Sequence, residues 1–204
     1  MITIVDYGLG NLGSIANMLR RIGVSALITR DLAAIASAEK LILPGVGAFD
    51  HGMENLDRLG LIEPLTRRVA AGVPVLGICL GAQLMAVSSE EGRRPGLAWL
   101  QAKNVRFDPS KSAPQLKIPH MGWCATSPAR PSVLFDASTD HKFYFVHSYH
   151  FSCPDPGEIL ATSTYGYEFP AAIGSGMVFG VQFHPEKSHR YGMALLERFA
   201  AIRP

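Results

Sequence analysis

The sequence predicts an α/β fold: an open, mostly parallel, twisted sheet with helices on both faces, extended in the C-terminal half by an antiparallel strand region. Three observations carry this prediction. Up to Glu91, short apolar β-prone runs alternate with amphipathic helical patterns, the signature of parallel strands joined by crossover helices. Beyond Glu91 the pattern changes to short strand-like runs separated by Pro, Gly and Asp clusters, as in antiparallel meanders. No linker, repeat or low-complexity segment interrupts the 204 residues, so 1–204 reads as one domain. Apolar residues at 48% against 18% charged place the chain among globular proteins with a well-buried core.

Taken in order, Ile2–Val5 reads as a buried strand, closed by a glycine-rich turn at residues 6–11. Leu12, Ile15, Ala16, Leu19 and Ile22 share one face of a following helix, which Gly23 stops. Ala26–Thr29 is a second strand, and Asp31 is placed to cap a short helix. Residues 40–43 form a third strand that ends at the glycine loop 44–49. A helical pattern then runs to about Ala71, with breaks expected near Gly60 and Pro64. Residues 73–78 are the fourth strand and pass directly into a helix-prone run, 80–87. After the polar loop 90–96, strand-like runs fall at 105–107, 141–146, 159–162, 171–173 and 177–183. The last element, 188–202, is helical, with Met193, Leu196 and Phe199 on one face.

Bulk properties exclude several classes of function. A net charge of +2 is too small for a nucleic-acid footprint. No apolar run reaches membrane-spanning length, and no signal peptide is expected ahead of the first strand. The three cysteines, Cys79, Cys124 and Cys153, are an odd and scattered set, which argues for a reducing compartment, the cytoplasm by default. The seven histidines show no paired metal-ligand spacing. Neither a metal nor a cofactor is expected.

Chemistry concentrates at two places. In Gly77–Ile78–Cys79–Leu80–Gly81 a cysteine stands at the junction of strand and helix, between two glycines. This is the pattern of a nucleophile elbow: a sharp turn strains the nucleophile's backbone and lifts its side chain above the sheet edge. The following helix N-terminus favours thiolate, and the Leu80 N–H points where an oxyanion would form. A buried structural role is the commoner fate of a free cysteine. A hundred residues later another apolar strand ends in His184–Pro185–Glu186. His184 offers the acid–base group that a thiol needs near neutral pH. Glu186, two residues on, can fix its tautomer. Alone, this triplet is an ordinary polar turn. In a doubly wound sheet, however, active groups gather beyond the carboxyl ends of strands, and both pieces follow such ends.

With these residues in view, the chain resembles the class I (triad-type) glutamine amidotransferases over nearly its whole length. The resemblance is carried by VDYGLGNL at 5–12, LPGVGAF at 43–49, GICLGAQL at 77–84, SEEG at 89–92, PHMGW at 119–123, YFVHSY at 144–149 and FGVQFHPEKS at 179–188. The second, fifth and sixth blocks narrow it to the glutaminase subunits of imidazole glycerol phosphate synthase, of histidine biosynthesis. The resemblance implies that Cys79 attacks the side-chain amide of glutamine to give a γ-glutamyl thioester and ammonia, which water then resolves to glutamate. It assigns the triad to Cys79, His184 and Glu186, and the oxyanion hole to the N–H groups of Leu80 and of Val46 or Gly47. The glutamine pocket maps to Gly47, Gln83, Glu91, Ser148 and Tyr149, with Glu91 facing the substrate ammonium.

Ammonia released into neutral water is protonated and loses its nucleophilicity, and the chain has no second centre of its own to use it. The resemblance therefore implies a partner, a cyclase subunit with a β/α barrel fold, forming a heterodimer. Asn11, Pro119, Trp123, Tyr144 and Lys187 are the expected docking residues, although Trp123 suits core packing equally well. The chain departs from the family pattern at position 124, where Cys follows PHMGW in place of Asn; hydrogen bonding there is put in question. Cys124 and Cys153 are expected to be structural, and His147 and His150 to be packing or rim residues. Two alternatives share the same residues: a paralogous subunit feeding a surface-sugar amidotransferase, and a non-catalytic binding subunit.

Overall fold

A computed structural model of the chain describes residues 1–112, 115–136 and 141–203. The first half alternates as expected: β1 (Ile2–Val5), α1 (Leu12–Arg21), β2 (Ala26–Thr29), α2 (Leu32–Ala36), β3 (Leu41–Gly45), α3 (Phe49–Arg58), α4 (Ile62–Ala70), β4 (Val75–Cys79) and α5 (Leu80–Leu84). The second half contains β5 (Ser88–Ser89), β6 (Lys103–Arg106), β7 (His120–Pro128), β8 (His141–His147), β9 (Tyr149–Ser152), β10 (Ile159–Tyr165), β11 (Tyr167–Ser175), β12 (Val178–Val181) and α6 (His189–Ala201).

One nine-stranded sheet runs in the order β2-β1-β3-β4-β12-β11-β10-β7-β8. The first five strands are parallel and the rest antiparallel. The two regions named from sequence are thus halves of a single sheet, joined where β12 pairs with β4. A small second sheet, β5-β6-β9, lies beside it. Strand alternation feeds two cores. Ile2, Ile4, Ile42, Leu76 and Ile78 face α1 and α6 through Ile15, Leu19, Leu196 and Phe199. Val5, Leu41, Leu43 and Val75 face α2 to α5 through Ile35, Phe49, Leu56, Leu65 and Leu80.

Local signals act as expected at several helix ends. Asp31 Oδ1 accepts from the Ala34 N–H at 2.8 Å, capping α2. Gly23 adopts φ +74° just past the end of α1, and Gly60 φ +65° between α3 and α4. Pro64 breaks nothing. It is the third residue of α4, where the missing N–H has no helical acceptor to lose. The helix-prone run 80–87 is helical only to Leu84. The N–H groups of Leu97, Ala98, Trp99 and Leu100 take the carbonyls of Leu84, Met85 and Ala86, so a loop rather than another helical turn closes α5. The strands β7 and β9 were not expected, and β11 is far longer than the anticipated 171–173. No helix of the described residues is long and apolar enough to cross a membrane.

Candidate active site

The elbow forms as the glycines demand. Cys79 ends β4 at φ 52°, ψ −113°, a backbone state that few residues with a side chain adopt. Close packing explains its two glycines. A Cβ on Gly81 would lie 1.8 Å from the Leu43 carbonyl oxygen, and one on Gly77 would lie 2.6 Å from the Ala82 Cα. The strand-to-helix turn is therefore pressed directly onto β3 and onto its own helix. Cys79 as a residue is 7% exposed and lines a cavity.

Sheet topology brings the second piece to it. β12 lies parallel beside β4, with Gly180 opposite Gly77 and Val181 opposite Ile78. Both chains leave the sheet at the same edge, and His184 comes within hydrogen-bonding reach of Cys79. His184 Nδ1 meets Glu186 Oε1 at 2.8 Å, and both side chains are 3% exposed or less. Ser188 clamps this turn: its Oγ donates to the His184 carbonyl at 2.6 Å and accepts from the Tyr144 N–H at 3.0 Å. Burial favours a neutral imidazole, but the hydrogen bonds and charges of Cys79 and Glu186 outweigh it, and His184 is pushed up to about 10. It is thereby held protonated at neutral pH. The second Glu186 oxygen is buried with no hydrogen-bond partner among the described residues.

A cavity of about 320 Å³ opens over the sulfur, of a size suited to a small molecule. Val46, Gly47 and Leu80 line one wall; Gln83, Glu91, Ser148 and Tyr149 line the others, with Val146, His147, His184, Lys187 and Pro119 completing it. Every residue expected to bind substrate or to form the oxyanion hole is therefore in one cavity. Glu91 is held there by α3: its Oε2 accepts from the Phe49 N–H at 2.9 Å, at the helix N-terminus. Asp50 in the same turn accepts from the N–H groups of Arg93 and Arg94 at 3.0 Å, bonds that hold its carboxyl below its usual range. A larger groove of about 660 Å³, bordered by Arg130, Phe179 and Arg198, offers only the Ser132 hydroxyl, with no cysteine, histidine or carboxylate beside it in the lining. Chemistry, not volume, marks the site.

A nucleophile–imidazole–carboxylate triad at a shared strand edge is common to several enzyme classes, so relatives decide among them. The family model for glutamine amidotransferase class-I matches residues 3–202. The chain belongs to the class-I glutamine amidotransferase family. Among curated relatives, "imidazole glycerol phosphate synthase subunit HisH 2" of Methanococcus maripaludis is 51% identical over 98% of both chains. The protein of that name in Pseudomonas aeruginosa is 46% identical over 99% of this chain and all of its own. A solved glutamine amidotransferase superposes with a TM-score of 0.76 at 21% identity, covering 99% of this chain and 100% of that one, a likeness of fold.

In this amidotransferase the expected docking residues divide. Trp123 and Tyr144 are directly paired across β7 and β8, with rings edge-on at 6.2 Å. Lys187 Nζ lies 5.8 Å from the Tyr144 ring centre, and Pro119 shares the cavity with Lys187. Trp123 is 41% exposed and stacks on His189, so core packing does not account for it. Asn11 is exposed at the start of α1. Cys124 points to the opposite face of β7 from Trp123, where its thiol donates to the Thr164 carbonyl at 3.3 Å and packs on the core. Its hydrogen bonding is satisfied, as a structural role requires. The Cys153 thiol is pushed up to about 12 by burial and by Glu158 and Asp155, which disfavours its thiolate.

Gln182 escaped the sequence reading, as did the pairing of His147, expected as a packing or rim residue and found buried like His150, with His120. Gln182 is fully buried beneath Cys79, with Nε2 3.9 Å from the sulfur. A glutamine inside the otherwise apolar run 178–183 was the available signal. His147 and His120 form a buried pair, ring nitrogens 3.1 Å apart, and His147 Nδ1 donates to the Tyr149 carbonyl at 2.8 Å. Burial drives His120 down to about 4 and His147 to about 3. Both stay neutral at the pH where His184 is charged.

Proposed function

We propose that this amidotransferase is the glutaminase subunit of an imidazole glycerol phosphate synthase, acting in histidine biosynthesis in the cytoplasm. Its Cys79 attacks the side-chain carbonyl carbon of glutamine. The observation that carries the reading is the meeting of Cys79 with His184, itself bonded to the buried Glu186, in a cavity whose wall includes Gln83, Glu91, Ser148 and Tyr149.

The sulfur adds to the amide carbon and the carbonyl oxygen becomes an oxyanion. The N–H of Leu80 and one from Val46 or Gly47 receive it, a contribution worth on the order of a hundredfold or more in rate. His184 gives its proton to the departing nitrogen, the C–N bond breaks and ammonia leaves. The now neutral imidazole takes a proton from water, which attacks the thioester and returns the electron pair to sulfur. Glu186 keeps the imidazole oriented through both halves. Glu91 pairs with the substrate ammonium, and Gln83, Ser148, Tyr149 and Gly47 shape the rest of the pocket.

Ammonia passes to a separate cyclase subunit, a β/α barrel, in a heterodimer. Its docking face is built on Pro119, Trp123, Tyr144 and Lys187, with Asn11 at the edge. The first test is Cys79→Ala: glutamine-dependent synthesis is abolished while the partnered complex still works with ammonium salts. Equal loss of both activities refutes the division of labour. Affinity capture is expected to recover the barrel cyclase, and capture of a sugar amidotransferase instead reassigns the acceptor. Trp123→Ala is expected to weaken the complex by roughly thirtyfold, as aromatic interface anchors do, measured by titration of one subunit into the other.

A further inference from the structure

The polar side chains under the thiol form a directed chain, and its direction follows from its fixed end. The Tyr149 carbonyl oxygen can only accept. Gln83 reaches it at 3.1 Å and so presents its NH₂ group there. The other hydrogen of that NH₂ meets Gln182, also at 3.1 Å, so Gln182 must present its oxygen to Gln83. The Gln182 NH₂ is then left facing the Cys79 sulfur at 3.9 Å. Flipping either amide would bring two oxygens or two NH₂ groups together, in a site where Gln182 is fully buried and Gln83 is 5% exposed. His147, bonded to the same carbonyl, holds the anchor in place.

We propose that Gln182 is a further catalytic residue: its side-chain N–H donates to the sulfur of Cys79 in the thiolate state, and Gln83 locks it in that orientation. The proposal rests on the reading of Cys79 as the nucleophile. The sulfur sits between two kinds of neighbour. As a thiol it donates its hydrogen to the Val146 carbonyl, 3.9 Å away. As a thiolate it has nothing to give that oxygen, and the Gln182 N–H and His184 are the donors it faces. Charge-assisted hydrogen bonds of this kind are about twice as strong as neutral ones. The same donor meets the electron pair that returns to sulfur when water breaks the thioester, so Gln182 serves both halves of the reaction.

The test reads the sulfur directly. Alkylation of Cys79 by iodoacetamide is followed against pH in the unaltered chain and in Gln182→Met, with Cys79→Ala as the blank for Cys124 and Cys153. The other titratable groups around the sulfur stay unchanged: His184 with Glu186, His147, Tyr7, and Glu91 and Lys187 farther along the cavity. The titration midpoint is expected to rise by about one pH unit, the size of one charge-assisted hydrogen bond. The kcat for glutamate release is expected to fall about tenfold at little change in KM. Superimposable alkylation curves overturn the proposal. Should Gln182→Met not fold, the side-chain amide nitrogen and proton resonances of Gln182 in the unaltered chain are followed through the same titration. They are expected to move with it, and resonances that stay constant overturn the contact. Failure of the glutaminase reading shows separately, as glutamate release that survives Cys79→Ala.

Discussion

In the proposed mechanism His184 is an acid first and a base second. Its usual value of 6.5 is pushed up to about 10, so at neutral pH it carries the proton that the leaving amine needs. Its basic form appears only after that proton is spent, when water must be activated. Glu186→Gln keeps an oxygen able to accept from Nδ1 but removes the charge. Glutamate release is expected to fall by roughly a hundredfold or more, the range of acid–base assistance. The alkaline limb of the kcat–pH profile is expected to move to lower pH, because the imidazole then loses its proton sooner; an unmoved limb contradicts the assignment. The same shift links to stability. The raised value favours the folded chain fully below about 6.5, and that gain is lost as pH climbs through about 10. These three residues were legible in the sequence because each lies in a short local pattern, GICLG or HPE, whose chemistry depends on neighbours in the chain. Gln182 was not, because its role comes from Gln83 and Tyr149, placed there by the sheet.

At the scale of elements, the strand–elbow–helix unit is held by contacts too close for any side chain. Gly81→Ala would drive a methyl group to 1.8 Å from the Leu43 oxygen on β3. Neither backbone can yield without disturbing the buried parallel strands. The variant is expected to lose about 3 kcal/mol or more, if it folds at all. Gly13 in α1 is the contrasting case. It lies inside a helix and a Cβ there meets nothing within 4 Å, so Gly13→Ala is expected to gain roughly 0.5–1 kcal/mol. Urea unfolding of the two variants separates a glycine kept for space from one kept for nothing in this chain; similar shifts in both would contradict the packing argument. The parallel half was legible because each buried strand is a compact apolar run behind a helical period. β7 and β9 were not: residues 120–128 alternate between exposed and covered positions and contain Gly122 at φ +140°, and pairing defines them, β7 with β8 and β10 and β9 with β6. The early end of α5 was equally hidden, since the loop that closes it comes from residues 97–100.

Across the whole molecule, the antiparallel half does more than extend the sheet. Where β8 passes into β9 of the small sheet, Ser148 and Tyr149 supply a wall of the cavity over Cys79, and that wall rests on the neutral pair His120–His147. The two rings are buried among Phe107, Phe145, Tyr165 and Phe169, with His120 stacked 4.1 Å from Tyr165. His147 donates from Nδ1 to the Tyr149 carbonyl, so its Nε2 accepts and His120 must be the donor. His147 cannot charge without breaking this order, because its Nε2 would then face the His120 donor, whereas burial alone opposes a charge on His120. Unfolding frees both to take protons near 6.5, while the folded values are about 4 and about 3. The unfolded chain therefore binds more protons in this window, and stability falls as pH drops from 6.5 toward 4. Each histidine contributes a slope of up to roughly 1.4 kcal/mol per pH unit. His120→Phe fits the same aromatic stack but strands the His147 Nε2 lone pair. The variant is expected to be about 1 kcal/mol less stable at pH 7, yet to lose less of its stability on acidification. Urea midpoints at intervals between pH 7 and 4.5 distinguish the two effects. Parallel lines for the variant and the unaltered chain would show that His120 takes no part in the acid response.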